Sequence, residues 1–237
     1  MEYEERHPPP ILCGQVAAYW TLSSAVPVGE NVLHEAAPDG CIELIHRVSG
    51  ESHWQRNQPV YFATGLSDRP AAVTFSPDAR FRAIRLWPWA WNALTGIPCP
   101  TFADDWMDVS DNDALTELFV PNDASALLSD RLAPHRPHPI AHVLLQAEKV
   151  RDICTQSGQS IRSVQRWCAD QLGMPPRLYL RLLRLGRAMH SLPEPSTLAE
   201  HAVDNGYADQ AHMARDFRTL AGTSASSARA KAIGPFL

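Results

Sequence analysis

Two stretches of the chain repeat one another, and that repeat limits the fold more than any other feature. Val150–Gly158 reads VRDICTQSG and Leu198–Gly206 reads LAEHAVDNG. Each places an apolar residue eight positions before a glycine and a small residue, Cys154 or Ala202, four before it; the glycines stand 48 residues apart. That spacing stacks both side chains on one helix face and predicts a helix that stops at glycine. After each glycine comes an N-cap candidate, Ser160 or Asp209, and a segment that runs to Gly173 or Gly222. Val164 and Met213 occupy equivalent inward positions there, and Arg166 and Arg215 follow two residues later.

A helix, a tight turn and a second helix is the arrangement in which the second helix enters the major groove of DNA while the first braces it. Between the two units, Pro175-Pro176 opens an arginine- and leucine-rich segment to Leu192, and Pro193-Glu194-Pro195 closes it. The segment predicts one long helix that joins the units. Two copies on a shared helix reach successive major-groove segments, about 34 Å apart.

Charge divides along the same line. Residues 1–139 carry nine Lys and Arg against eighteen Asp and Glu, whereas residues 140–237 carry twelve against eight. A front half at −9 and a back half at +4 predict two domains, the second facing a polyanion. The front half reads as β-rich, with Val16–Leu22, Cys41–His46, Val60–Thr64, Ala72–Phe75 and Phe81–Trp87 separated by turn signals such as Pro38-Asp39-Gly40. Pro88 opens a helix that stops at Gly96, and leucines recurring through residues 102–133 predict one or two more. Three prolines within Ala133–Pro139 mark the domain boundary. The expected fold class is α+β: a β-rich barrel or sandwich-like domain over residues 1–133, a linker at 134–139, and an all-α domain over 140–237 with two helix-turn-helix units joined by a long helix.

No apolar run approaches the roughly 18 residues of a membrane helix, and the start Met1-Glu-Tyr-Glu-Glu5 lacks the basic and apolar regions of a signal peptide. A cytoplasmic protein with no membrane partner is expected. The five cysteines are scattered and odd in number, which fits neither a disulfide framework nor a CxxC metal site. His34, Glu43, His46 and His53 lack tight ligand spacing, so no metal is assigned. There is no nucleophile elbow, phosphate-binding glycine loop or HExxH helix, and no catalytic residue or cofactor is assigned.

Residues 148–230 resemble the AraC/XylS-type DNA-binding domain. The resemblance rests on Ser160-Ile-Arg-Ser-Val-Gln-Arg166, on Leu172-Gly-Met-Pro-Pro-Arg-Leu-Tyr-Leu-Arg181 and on Gly206-Tyr-Ala-Asp-Gln-Ala-His-Met-Ala-Arg-Asp-Phe217. The front half resembles the amino-terminal domain of one branch of these regulators, through Ala18-Tyr-Trp20, Pro38–Ile45 and Ile84 to Trp106. Arg162, Gln165 and Arg166 share one helix face, and arginine and glutamine make bidentate pairs with guanine and adenine. The resemblance turns that face toward the groove, with Ser160 and Ser163 at the start of the same helix. It makes Gln210, His212 and Arg215 the equivalents in the second unit, Arg215 mainly on phosphate. On the joining helix Arg177, Arg181, Arg184 and Arg187 form a basic stripe, of which Arg181, together with Tyr179, is the better phosphate contact. Trp20, Glu43 and Trp87 are the ligand candidates of the front half, which holds six of the seven tryptophans.

The resulting expectation is a sequence-specific regulator, an activator by resemblance, with promoter DNA and RNA polymerase as partners, a small-molecule effector and a homodimer. Two alternatives stand beside it. One is a member of the family that acts through protein contacts without specific DNA binding. The other is a DNA-repair enzyme using the same module, although Cys13 and Cys41 have no partners at zinc spacing.

Overall fold

Apolar residues fall on both faces of the front-half strands, so the sheet they build has to be covered twice. The computed structural model describes residues 1–24, 31–192 and 197–231; Pro193-Glu194-Pro195 therefore lies outside the described residues. The strands are β1 (Glu2–Arg6), β2 (Val16–Ser23), β3 (Val32–Ala36), β4 (Ile42–Ser49), β5 (Ser52–Trp54), β6 (Arg56–Asn57), β7 (Tyr61–Thr64), β8 (Ala71–Phe75), β9 (Arg80–Leu86) and β10 (Trp106–Asp108). They form a six-stranded sheet in the order β1-β2-β9-β4-β7-β10 and a four-stranded sheet in the order β3-β8-β5-β6. Every pairing among them is antiparallel.

Register explains the two layers. Leu44 lies opposite Ile84 and Ala63, and Ile45 opposite Ala83 and Phe62. Side chains alternate along a strand, so Leu44, Ala63 and Ile84 share one face, Ile45, Phe62 and Ala83 share the other, and all six are buried. The second face, with Trp20, Leu22 and Phe81, packs on Phe75 of the smaller sheet. The first face packs on helices. The domain is thus a two-sheet sandwich; β1 and β10 remain edges of the larger sheet, so the closed-barrel alternative is corrected.

The helices are α1 (Pro88–Thr95), α2 (Asp113–Thr116), α3 (Ser125–Leu132), α4 (Pro139–Leu144), α5 (Val150–Ser157), α6 (Ile161–Leu172), α7 (Pro176–His190), α8 (Leu198–Asp204), α9 (Gln210–Leu220) and α10 (Ala225–Lys231). α1 begins at Pro88 after an extended Trp87 and ends on left-handed Gly96, as its sequence predicts. The acidic stretch after it holds more than helix. β10 adds to the sheet edge, pairing Trp106 with Thr64, before α2 and α3. In the repeat, Gly158 and Gly206 take φ of +68° and +74°, the backbone that lets each unit turn where a side chain would be strained. No helix among the described residues is long and apolar enough to cross a membrane.

The two halves share one core. Leu12, Leu44, Trp91 and Leu128 of the front half are continuous with Ile153, Val164, Tyr179 and Phe217 of the back half. Tyr179 is fully buried and its hydroxyl donates to the Gly40 carbonyl at 2.9 Å. Gly40 sits at φ +82°, and a Cβ there would come within 3.3 Å of both Leu183 and Tyr179, so α7 lies against the turn itself. On α6, Trp167 lies 6.3 Å from the Trp89 ring, and Gln171 accepts from the Asn92 amide at 2.7 Å. Pro70 packs on Gly222 beyond α9. The front domain therefore touches both helix-turn-helix units and the helix between them.

Replacing Tyr179→Phe keeps the ring and leaves the Gly40 carbonyl without its donor. The expected loss is about 1 to 3 kcal/mol, read from urea unfolding; an unchanged midpoint would mean that the contact holds nothing together. Arg181→Met leaves the buried Asp216 carboxylate without the guanidinium that faces it at 2.7 Å. Unfolding should again lose about 1 to 3 kcal/mol, the pair being partly exposed on its arginine side.

Candidate nucleic-acid interface

α6 is amphipathic by spacing. Val164, Cys168 and Leu172 are buried, whereas Arg162, Gln165, Arg166 and Ala169 are exposed along the opposite face. Neither Arg162 nor Arg166 makes an ion pair among the described residues. The helix starts where Ser160 accepts the Ser163 amide at 3.1 Å, and the two hydroxyls lie 3.0 Å apart. Both serines are thus engaged in the cap at the end of the same exposed face. Trp167, flanked by His138 at 5.6 Å, belongs to the side that the front domain covers. The front domain braces the back of α6 and leaves its arginine face open.

The second unit repeats this with different chemistry. Asp209 caps α9 by accepting the His212 amide at 2.6 Å, and Gln210, Ala211 and Arg215 are exposed. His212 is half-buried; its ring meets Tyr207 edge-on at 5.2 Å and its Nδ1 accepts from the Ala208 amide at 3.4 Å. The imidazole therefore braces the turn between α8 and α9, which sets it apart from the open side chains beside it. Met213, Phe217 and Leu220 form the buried face.

One expected contact is corrected, and a second is engaged within the protein. Tyr179 cannot face phosphates from a position with no exposed surface; it anchors α7 to the front domain instead. Arg181 bonds Asp216 through Nε at 3.1 Å and Nη2 at 2.7 Å, tying α7 to α9. The other stripe arginines divide. Arg184 lies over the Tyr207 ring at 5.3 Å, while Arg177 and Arg187 are exposed.

Asp216 was legible and missed. It falls three residues after Met213 and one before Phe217, a carboxylate on an apolar stripe, and such a group has to be paired. His201, buried with Nε2 2.8 Å from the Ala188 carbonyl, ties α8 to α7 in the same way.

In the front half, Trp20 and Glu43 line one cavity of about 140 Å³ between the two sheets, together with Asp39, Phe62, Phe75 and Arg85. Trp20 donates its indole N–H to Glu43 at 2.7 Å. Trp87 does not line this cavity; it stacks on Trp89 at 5.8 Å in the helical layer. Arg85 is the charge centre of the region. Its Nε lies 2.6 Å from Glu43 and 3.0 Å from Asp39, and its Nη1 lies 3.0 Å from Glu5. Burial pushes the Glu43 carboxyl up, Arg85 pulls it down and Asp39 pushes it up again; the upward causes prevail.

Comparison with known proteins finds two domain models that match the chain. A helix-turn-helix domain model matches residues 153–231, and the model of a domain of unknown function, DUF6597, matches residues 4–108. No curated protein matches the chain in sequence. Among solved structures, an AraC-type transcriptional regulator from Chromobacterium violaceum is 23% identical, covers 39% of this chain and 87% of its own, and has a TM-score of 0.36. ToxT from Vibrio cholerae is 8% identical, covers 96% of this chain and 97% of its own, and has a TM-score of 0.50. ToxT bound to (E)-4-(8-methylnaphthalen-1-yl)but-3-enoic acid gives the same identity and TM-score over 96% and 98%. The likeness to ToxT is one of fold. With its two capped helix-turn-helix units at the matched positions, the chain carries a helix-turn-helix domain over residues 153–231 behind a domain matched by DUF6597 over residues 4–108.

Proposed function

We propose that the chain is a transcriptional activator that docks on a specific promoter sequence through α6 and α9, under the control of its front domain. The observation that carries this reading is the open, unpaired face of Arg162, Gln165 and Arg166 on a helix whose back is fixed by the front domain. An arginine with no intramolecular carboxylate keeps its whole donor fork for a guanine edge. In this reading residues 140–237 read DNA, residues 1–133 regulate, and 134–139 link them. Ser160, Ser163, Gln210, His212 and Arg215 lie along the same approach, with Arg215 on phosphate.

Control follows from the contacts. Asp39 lines the front-domain cavity, and the next residue, Gly40, accepts the Tyr179 hydroxyl of α7. A small molecule that moves Asp39 thereby shifts the helix on which both units are mounted. That a carboxylic acid is bound in a solved ToxT structure is consistent with a small-molecule effector for this fold, Trp20 and Glu43 being the contacts here. Homodimerisation and contact with RNA polymerase, in the cytoplasm, complete the proposal.

The test is selection from a randomised duplex library at near-physiological salt, since salt governs the non-specific background. Wild-type protein should enrich one motif, and the Arg162→Ala, Arg166→Ala double variant should lose it. Arg166→Ala alone should cost about 1 to 3 kcal/mol on the selected site and relax preference at one base pair, with little change on random DNA. Equal losses on both would overturn base reading by α6.

A further inference from the structure

The cavity between the two sheets has a charge imbalance that its walls do not resolve. One guanidinium, Arg85, faces three carboxylates within 3.0 Å: Glu5, Asp39 and Glu43. The other arginine on the lining, Arg69, is held by Asp104 at 2.7 Å and Asp68 at 3.5 Å. His34 brings no compensating charge, because burial keeps its pKa down to about 4. Two of the carboxylates, Asp39 and Glu43, line the space itself.

A second observation points the same way. Gln58 lines this cavity at 6% exposure, and its Oε1 accepts from no donor among the described residues. A buried carbonyl oxygen without a donor is costly, and a ligand N–H removes that cost. The Gln58 carbonyl oxygen is therefore an acceptor open to an occupant, and the two carboxylates make the local charge negative. The remaining wall is aromatic and aliphatic, including Trp20, Phe62, Phe75 and Phe81. Aromatic faces attract cations as well as apolar groups. A volume of about 140 Å³ is close to that of an apolar cavity that holds one benzene ring.

We infer that this cavity takes a compact apolar molecule with a single cationic nitrogen, an arylalkylamine being the simplest case. The inference rests on reading the front domain as the control domain, and it names the ligand that domain senses. The ammonium donates toward Asp39, Glu43 and the Gln58 carbonyl while the ring enters the aromatic wall. Anionic ligands are disfavoured here because a carboxylate would meet the same two carboxylates at close range.

Calorimetric titration of the full-length protein with 2-phenylethylamine, 2-phenylethanol and phenylacetate tests this directly, because the three share a ring and differ in head-group charge. The amine should bind at least about tenfold more tightly than the alcohol, and phenylacetate most weakly. Glu43→Gln and Asp39→Asn should each cut the advantage of the amine over the alcohol to about threefold or less. Equal binding of the three, preference for phenylacetate, or no binding of any at millimolar concentration overturns the assignment. Should a variant fail to fold, the wild-type series alone decides. Amine binding that leaves operator affinity unchanged supports the cavity and removes the control role. Absence of amine binding, with operator affinity altered in Tyr179→Phe, does the reverse.

Discussion

Helix α7 has to be covered on most of its circumference, and the rest of the structure follows from how that is done. Eight of its fifteen residues are buried, among them Tyr179, Leu182, Leu183, Leu185 and Met189. Side chains three and four apart share a face, so a helix this apolar exposes only a narrow strip. One part of its surface gathers α6 and α9, another receives the turn at Asp39-Gly40, and half-buried arginines close the edges against Asp216 and Tyr207. Both reading helices are consequently referred to a single rod, and the front domain holds that rod by a hydrogen bond and a close glycine contact.

The buried charges show how interior polar groups are kept. Asp216 accepts two N–H groups of one arginine at Oδ1, and Arg85 meets three carboxylates. The two sites differ in balance. At Asp216 one carboxylate answers one guanidinium, and the pair fastens two helices. At Arg85 the carboxylates are in excess, so the region is held together and still negative. Charge left over beside an apolar wall is the condition under which a ligand of the opposite sign gains most from leaving water.

The elements legible in the sequence were those set by local spacing. Pro88 to Gly96 became α1, the two repeat units became α5–α6 and α8–α9, and Ser160 and Asp209 cap as their positions require. Strands β2, β4, β7, β8 and β9 were visible as apolar runs because each packs on at least one covered face. β1, β3, β5, β6 and β10 were not, since they alternate polar with apolar residues or are only two or three residues long. Of the proposed interface, Arg162, Gln165 and Arg166 were placed by i, i+3, i+4 geometry, which survives folding unchanged because a helix is locally determined.

What the chain decided by itself is therefore the helix-turn-helix repeat, the basic face of α6 and the division of charge between the halves, all properties of neighbours within a few residues. Tertiary structure alone decided that Tyr179 points inward to a carbonyl 139 residues away, that Arg181 pairs with Asp216, and that Asp39, Glu43 and Arg85 meet at one cavity. These are pairings across elements. An arginine on an amphipathic helix has the same local signature whether it faces solvent, a nucleic acid or a buried carboxylate, and only the packing of the next helix against it chooses among them.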